Sequence, residues 1–228
     1  MFERRAIGIA RSQDFMKIRH LLLGVAIVTA YVACSGAKQD KLPILGEKEY
    51  ITTVREGVSY TDTVYHTVPR FRFLDQDSSW VTPETFKGKV YLADFFFTRC
   101  PTICPIMASN LLTIAKHFED NERFAILSHT IDPEYDLPPI LKRYAGKLGA
   151  PPSWRFVNGP KEEVYRLAGQ EGYFSFAQED AEAPGGFSHS GAFTLVDEEG
   201  RVRGVYDGTL TDSIPKLVAD IEKLLEEE

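Results

Sequence analysis

From Arg70 onward, apolar positions recur with the periods of alternating strands and helices. Phe71 and Phe73, then Trp80 and Val81 after a turn at 75–79, predict a hairpin. Phe86-Lys87-Gly88-Lys89 leads into a run of apolar and aromatic residues, Val90 to Phe97, with the length and the β-branched and aromatic content of a buried central strand. Ile106, Leu111, Ile114, Ala115 and Phe118 keep a helical spacing. A second strand is expected over Phe124 to Ile131, a second helix over Leu137 to Leu148, a short third strand over Arg155 to Val157 and a third helix over Lys161 to Ala168. Residues 169–188 hold no sustained period and read as a long irregular insert. Ala192 to Val196 and Val202 to Tyr206 flank the turn Asp197-Glu198-Glu199-Gly200 as a last hairpin, and Ser213 to Leu225 closes the chain as an amphipathic helix.

That element order is the one an α/β thioredoxin-like fold requires, with an N-terminal hairpin and an insert before the last hairpin. The domain is expected over residues 69–228. Residues 34–68 read as a polar linker, although Ile51 to Thr67 has enough β-formers for an edge strand or hairpin. Upstream, Leu21 to Val32 is apolar but too short to span a bilayer comfortably, and Lys17, Arg19 and His20 precede it, so residues 1–33 read as an export signal. Met16 opens the compact basic start MKIRHLLLGVAIV and is the expected true start. The small residue before Cys34 resembles the lipobox of bacterial lipoproteins, which implies acylation of Cys34; an uncleaved N-terminal anchor is the alternative. Either reading tethers the body outside the cytoplasm, on the periplasmic side of a bacterial envelope.

Charge narrows the partners. The first 33 residues carry +3 and the whole chain −7, leaving −10 on residues 34–228. So acidic a body has no positive field to offset phosphate, which excludes nucleic acid.

The chain has three cysteines, and two of them, Cys100 and Cys104, follow the apolar run four positions apart in FTRCPTICP. On a helix, positions i and i+4 stand one turn apart on one face with Cβ atoms about 5–6 Å apart. Pro101 suits a first-turn position, so the helix is expected to start near Cys100, its dipole favouring thiolate. Two such sulfurs at the carboxyl end of a central strand can share a soft metal ion or close a disulfide. Two further stretches matter: SHTIDPEYD at 128–136, at the end of the second strand, and GFSHSGAF at 186–193, where His189 precedes the last hairpin.

With FTRCPTICP, TIDPEYD and FSHSGAFTLVD in this order, the chain resembles the Sco (SenC) family of copper-binding proteins from about Pro69 to Leu225. The resemblance implies a thioredoxin fold, one copper ion held by Cys100, Cys104 and His189, and a role in assembling the dinuclear copper site of cytochrome c oxidase. Its partners would be the copper-binding subunit of that oxidase, copper donor proteins and the membrane. Asp132 and Asp136 match acidic family positions and, with His129, are candidates for orienting the ligands. The family's first-hairpin turn often has Asp-Gly; here it is Asp77-Ser78-Ser79. Donor chemistry agrees: two thiolates and an imidazole suit Cu(I), and Cu(II) if an oxygen ligand joins, whereas structural zinc takes four protein ligands.

Plainer readings compete. A close cysteine pair outside the cytoplasm can be a structural disulfide. His66 and His117 read as surface or capped residues, His129 more readily as a polar residue closing its strand than as one orienting a ligand, and Asp132 as a turn former capping the next helix. A second function also fits the motif: an extracytoplasmic thiol-disulfide oxidoreductase with Cys100 as nucleophile and Cys104 as resolving thiol. The CxxxC spacing departs from the CxxC of thioredoxin-type reductases.

Overall fold

The computed structural model describes residues 41–227, so the candidate leader and Cys34 lie outside the described residues. Among the described residues eleven strands and four α-helices are formed. Strands β1 (Lys48–Arg55) and β2 (Val58–Tyr65) make a separate antiparallel ribbon, within the stretch read as a linker. The main sheet contains β3 (Phe73–Asp75), β4 (Trp80–Val81), β5 (Val90–Phe96), β6 (Phe124–Thr130), β7 (Trp154–Asn158), β10 (Ala192–Val196) and β11 (Val202–Asp207), in the order β11-β10-β5-β6-β7-β3-β4. The pairs β5–β6 and β6–β7 are parallel and the rest antiparallel, giving the thioredoxin-like α/β arrangement expected.

Every residue of β5 and β6 is buried. That is why these segments show no alternation of apolar and polar positions: a parallel strand covered on both faces has no solvent side on which to alternate. Helices α1 (Cys104–His117) and α2 (Pro138–Leu148) cover one face, where Met107, Leu111 and Tyr144 meet Phe96, Trp154 and Phe156. On the other face Phe95, Phe73 and Tyr173 pack around His129 below α3 (Lys161–Ala168). The terminal helix α4 (Ile214–Glu226) packs beside α1. No helix among the described residues is long and apolar enough to cross a membrane.

Three local features depart from the sequence reading. Helix α1 starts at Cys104, not at Cys100: Pro101 and Pro105 each restrict the residue before them, and Pro105 has no N–H to bond back, so the first helical bonds run from Ile106 and Met107 to Ile103. The insert is not wholly irregular, since β8 (Ala177–Glu179) and β9 (Phe187–His189) form a small antiparallel hairpin. With three residues each, these strands lie below any detectable period. Ser78 supplies the positive φ (59°) of the first turn, and the Asp75 carboxylate accepts from the Asp77 and Ser79 N–H groups at 2.9 Å.

The segment before the ribbon is fixed as well. Buried Arg203, paired with Asp197 at 3.0 Å, donates to the Leu42 and Pro43 carbonyls at 2.7 and 3.0 Å. A backbone bond from Leu45 to Val202 continues the attachment.

Candidate metal centre

Three elements from different parts of the chain converge at the carboxyl end of β5. Cys100 sits in the turn after β5, closed by a backbone bond from its N–H to the Phe97 carbonyl (3.1 Å). Cys104 opens α1, and His189 ends β9. The Cys104 sulfur lies 3.4 Å from His189 Nε2. The two sulfurs and one imidazole nitrogen all lie within 4.8 Å of one another. Cys100 and His189 line a cleft of about 160 Å³ together with Phe97, Ile103, Pro184 and Phe187. Both cysteines are free thiols, Cys104 buried and Cys100 partly exposed.

Each donor is prepared for its position. His189 Nδ1 is 2.9 Å from the Ser190 carbonyl, an acceptor, so the proton belongs on Nδ1 and the Nε2 lone pair points at the sulfurs. A hydrogen bond from Cys104 pushes the Cys100 thiol down to about 3, burial opposing it, and the backbone N–H groups of Thr102 and Cys104 add to the fall. Cys104 moves up, through the proton it shares with Cys100 and through burial. The pair therefore holds one proton, on the inner sulfur. Gly185 keeps the turn between β8 and β9 close: at φ +86°, a Cβ there would stand 2.7 Å from Phe97.

The acidic candidates act one step away from the sulfurs. Asp136 is fully buried, and its carboxylate accepts from the Thr98 N–H at 2.9 Å, the Thr98 hydroxyl, and the Thr130 hydroxyl at 2.6 Å. Burial raises its pKa despite these bonds. Asp132 pairs with Arg99 at 2.6 Å, and that guanidinium stacks on Tyr135 at 3.9 Å. Both carboxylates thus hold Thr98 and Arg99, the two residues before Cys100, and Asp132 does not cap the following helix, whose N-cap is Leu137.

His129 lies elsewhere. Strand neighbours face opposite sides, and while Ser128 bonds Asp94 beneath Cys104, His129 points to the other face. Its ring stacks on Phe95 at 5.0 Å and meets Phe71 and Phe73 edge-on. Both ring nitrogens lack hydrogen-bond partners, and burial drives its pKa down to about 3. It is a neutral member of an aromatic cluster and touches neither sulfur nor carboxylate of the site.

One residue escaped the sequence reading. Asp94, in the middle of β5, is 3% exposed and lines the small space under α1 together with Cys104. Its carboxylate accepts from Ser128, whose oxygen accepts from Trp154 Nε1 at 2.8 Å, and burial raises its pKa to about 7. A lone carboxylate inside an otherwise apolar strand was the available signal.

A sequence model of the SCO1/SenC family matches residues 60–226. The chain belongs to that family. The SCO1 protein homolog of Bacillus subtilis is 31% identical over 169 residues, spanning 73% of this chain and 86% of that protein. The solved structure of BsSco, a member of the Sco family of cytochrome c oxidase assembly proteins in which a disulfide switch was identified, is similar with a TM-score of 0.61 at 29% identity, over 72% of this chain and 95% of that one. Yeast Sco1 with copper bound gives a TM-score of 0.53 at 25% identity, over 71% of this chain and 95% of that one. In this Sco-family chain the two cysteines and the histidine of the motifs stand together, Asp132 and Asp136 stand behind them, and His129 stands apart.

Proposed function

We propose that the chain is a membrane-tethered copper metallochaperone that binds one copper ion through Cys100, Cys104 and His189 and delivers it during assembly of the CuA site of cytochrome c oxidase. The observation that carries this reading is the convergence of two sulfurs and one imidazole nitrogen within 4.8 Å. This donor set fits copper: two soft thiolates and a nitrogen satisfy Cu(I), and the cleft leaves room for an oxygen ligand should Cu(II) be the cargo. Among the described residues no further histidine or cysteine joins the cluster, so a structural zinc site is disfavoured. The yeast relative with copper bound supports the same cargo.

Transfer by ligand exchange follows from the asymmetry of the pair. Cys100 is the outer, ionised sulfur and the first accessible to an incoming thiolate or imidazole, whereas Cys104 and His189 are buried. Acylation at Cys34 would hold this reaction at the outer surface of the membrane, within reach of copper donor proteins and the copper-binding oxidase subunit. Metal analysis tests the reading. The reduced full chain in detergent should hold one copper, lose it on oxidation of Cys100 and Cys104 to a disulfide, and bind at least tenfold more weakly after His189→Ala, on the order of 1.4 kcal/mol. Undiminished copper after full oxidation would refute it.

A second reading draws on the same asymmetry: a partly exposed Cys100 pushed down to about 3 beside a buried Cys104 is the arrangement of a nucleophilic and a resolving thiol. As a reductant, Cys100 would attack a partner disulfide and form a mixed disulfide. Cys104 would then displace the partner, the dithiol supplying two electrons and ending as a disulfide. In His189→Ala this exchange should continue while copper affinity falls, which separates the two functions.

A further inference from the structure

The ribbon β1–β2 differs from every other element in what it leaves uncovered. Its strands pair only with each other, in unbroken register from Lys48 opposite Tyr65 to Arg55 opposite Val58. All of its sixteen strand residues except Thr53 and Tyr65 are exposed, among them Tyr50, Ile51, Val54, Val58, Tyr60 and Val64. An isolated two-stranded ribbon is at best marginal in water. Among the described residues neither outer edge has a strand partner. Exposed edges are normally guarded by lysine, proline or a bulge. The centre of β1, Tyr50-Ile51-Thr52-Thr53-Val54, has none of these and consists wholly of β-branched and aromatic residues.

The charges at the ends of β1 specify a partner. With a two-fold axis at Thr52, an antiparallel second β1 places Glu49 opposite the partner's Arg55, and Arg55 opposite the partner's Glu49. Tyr50 then meets the partner's Val54, and Ile51 the partner's Thr53, aromatic and β-branched pairs of the kind that stabilise sheets. Slipping the register by two residues, the next that the alternation of outward-facing backbone groups allows, sets Glu49 against the partner's Thr53 or Arg55 against the partner's Ile51 and loses both charge pairs. The β2 edge offers no such match, because its single charge, Asp62, would face an uncharged tyrosine, the partner's Tyr60. We propose that two copies of this chain associate edge to edge along β1, centred on Thr52, joining their ribbons into a four-stranded antiparallel sheet. The contact is isologous, so it closes at two copies rather than growing into a fibre.

Charge reversal tests this without touching the core. Both side chains sit on exposed strand positions, so Glu49→Arg and Arg55→Glu should leave the fold, followed by circular dichroism, unchanged. Sedimentation of the full chain in detergent should show a monomer–dimer equilibrium. Each single variant places like charges opposite each other twice and should weaken dimers by about tenfold or more. An equimolar mixture of the two variants should restore dimers, since both cross-strand pairs of the mixed dimer again join one positive and one negative side chain. A wild-type chain that stays monomeric up to about 100 μM, the weak end of specific association, would overturn the proposal. Dimers indifferent to either reversal, or variants that fail to rescue each other, would overturn it equally.

Discussion

Asp94→Asn should stabilise the metal-free protein at neutral pH and leave it unchanged in mild acid. The carboxyl is buried in β5 with Ser128 as its hydrogen-bond donor, and burial holds its pKa at about 7 instead of 3.8. Below pH 4 it is protonated whether the chain is folded or not. Between about 4 and 7 the unfolded chain gives up this proton and the folded chain keeps it, so stability falls as pH rises through that window and the loss is complete above 7. A carboxyl held about three pH units high corresponds to about 4 kcal/mol at pH 8. Asparagine keeps an oxygen for Ser128 and has no charge to desolvate, so it should recover about 2–4 kcal/mol at pH 8 after local relaxation. His129 contributes the opposite trend: buried and neutral, with its pKa lowered to about 3, it favours the fold above its unfolded value of 6.5 and loses that contribution as pH falls. The two slopes oppose each other, and only the difference between variant and wild type isolates Asp94. Urea unfolding of reduced, metal-free chains from pH 4.5 to 8.5 at fixed ionic strength measures that difference. A difference that stays flat within about 1 kcal/mol, or an Asp94→Asn chain less stable than wild type at pH 8, would refute the assignment of a desolvated carboxyl at this position.

Two further outcomes follow from the site and one from the leader. Asp136→Ala strands the Thr98 N–H and two hydroxyls that now end on one carboxylate; urea unfolding should register a loss of about 2–4 kcal/mol, and a loss under 1 would remove the loop-anchoring role. Gly185→Val forces a β-branched residue into φ +86° and against Phe97, so the β8–β9 turn should back away, weakening copper binding measurably while global stability drops by about 1–3 kcal/mol; unchanged affinity by competition with a Cu(I) chelator would contradict it. Cys34→Ser should free the chain from membranes in cell fractionation with copper binding intact, and a variant still firmly membrane-bound would point to an uncleaved anchor.

Where the sequence was legible, one physical rule governed each segment. Val90 to Phe97 is apolar or aromatic on both strand faces apart from Asp94, and Phe124 to Leu127 is apolar throughout, which points to burial on both faces, and β5 and β6 obey it. Where two rules competed, pattern alone chose wrongly. Helical spacing placed Cys100 and Cys104 on one helix face, but proline sterics at 101 and 105 postpone the helix, so a turn and a helix end bring the sulfurs together instead. His129 kept company in sequence with Asp132 and looked like part of the site; strand alternation sends it to the opposite face. The hairpin that carries His189 rests on two three-residue strands and on glycines at positive φ, which leave no periodic trace. Asp94 was visible as a lone acid in an apolar run, but its meaning depends on Cys104 packing above it.

The DPEYD segment explains how a thiol pair on a turn can be as well placed as one on a helix. Cys100 lacks the helical bonds that fix Cys104, and a free turn would let the outer sulfur wander. Thr98 and Arg99 are instead bonded to Asp136 and Asp132, and Asn158 ties the carbonyls of Pro133 and Asp136 to β7 at 2.8 and 3.0 Å. The turn is thereby referred back to the rigid parallel sheet through side chains rather than through its own backbone. Placement of this kind spares part of the ordering entropy when a metal or a partner sulfur arrives. It also leaves Cys100 without obligations to a helix, so that in the proposed transfer this sulfur would be the one to exchange ligands while Cys104 and His189 stay in place.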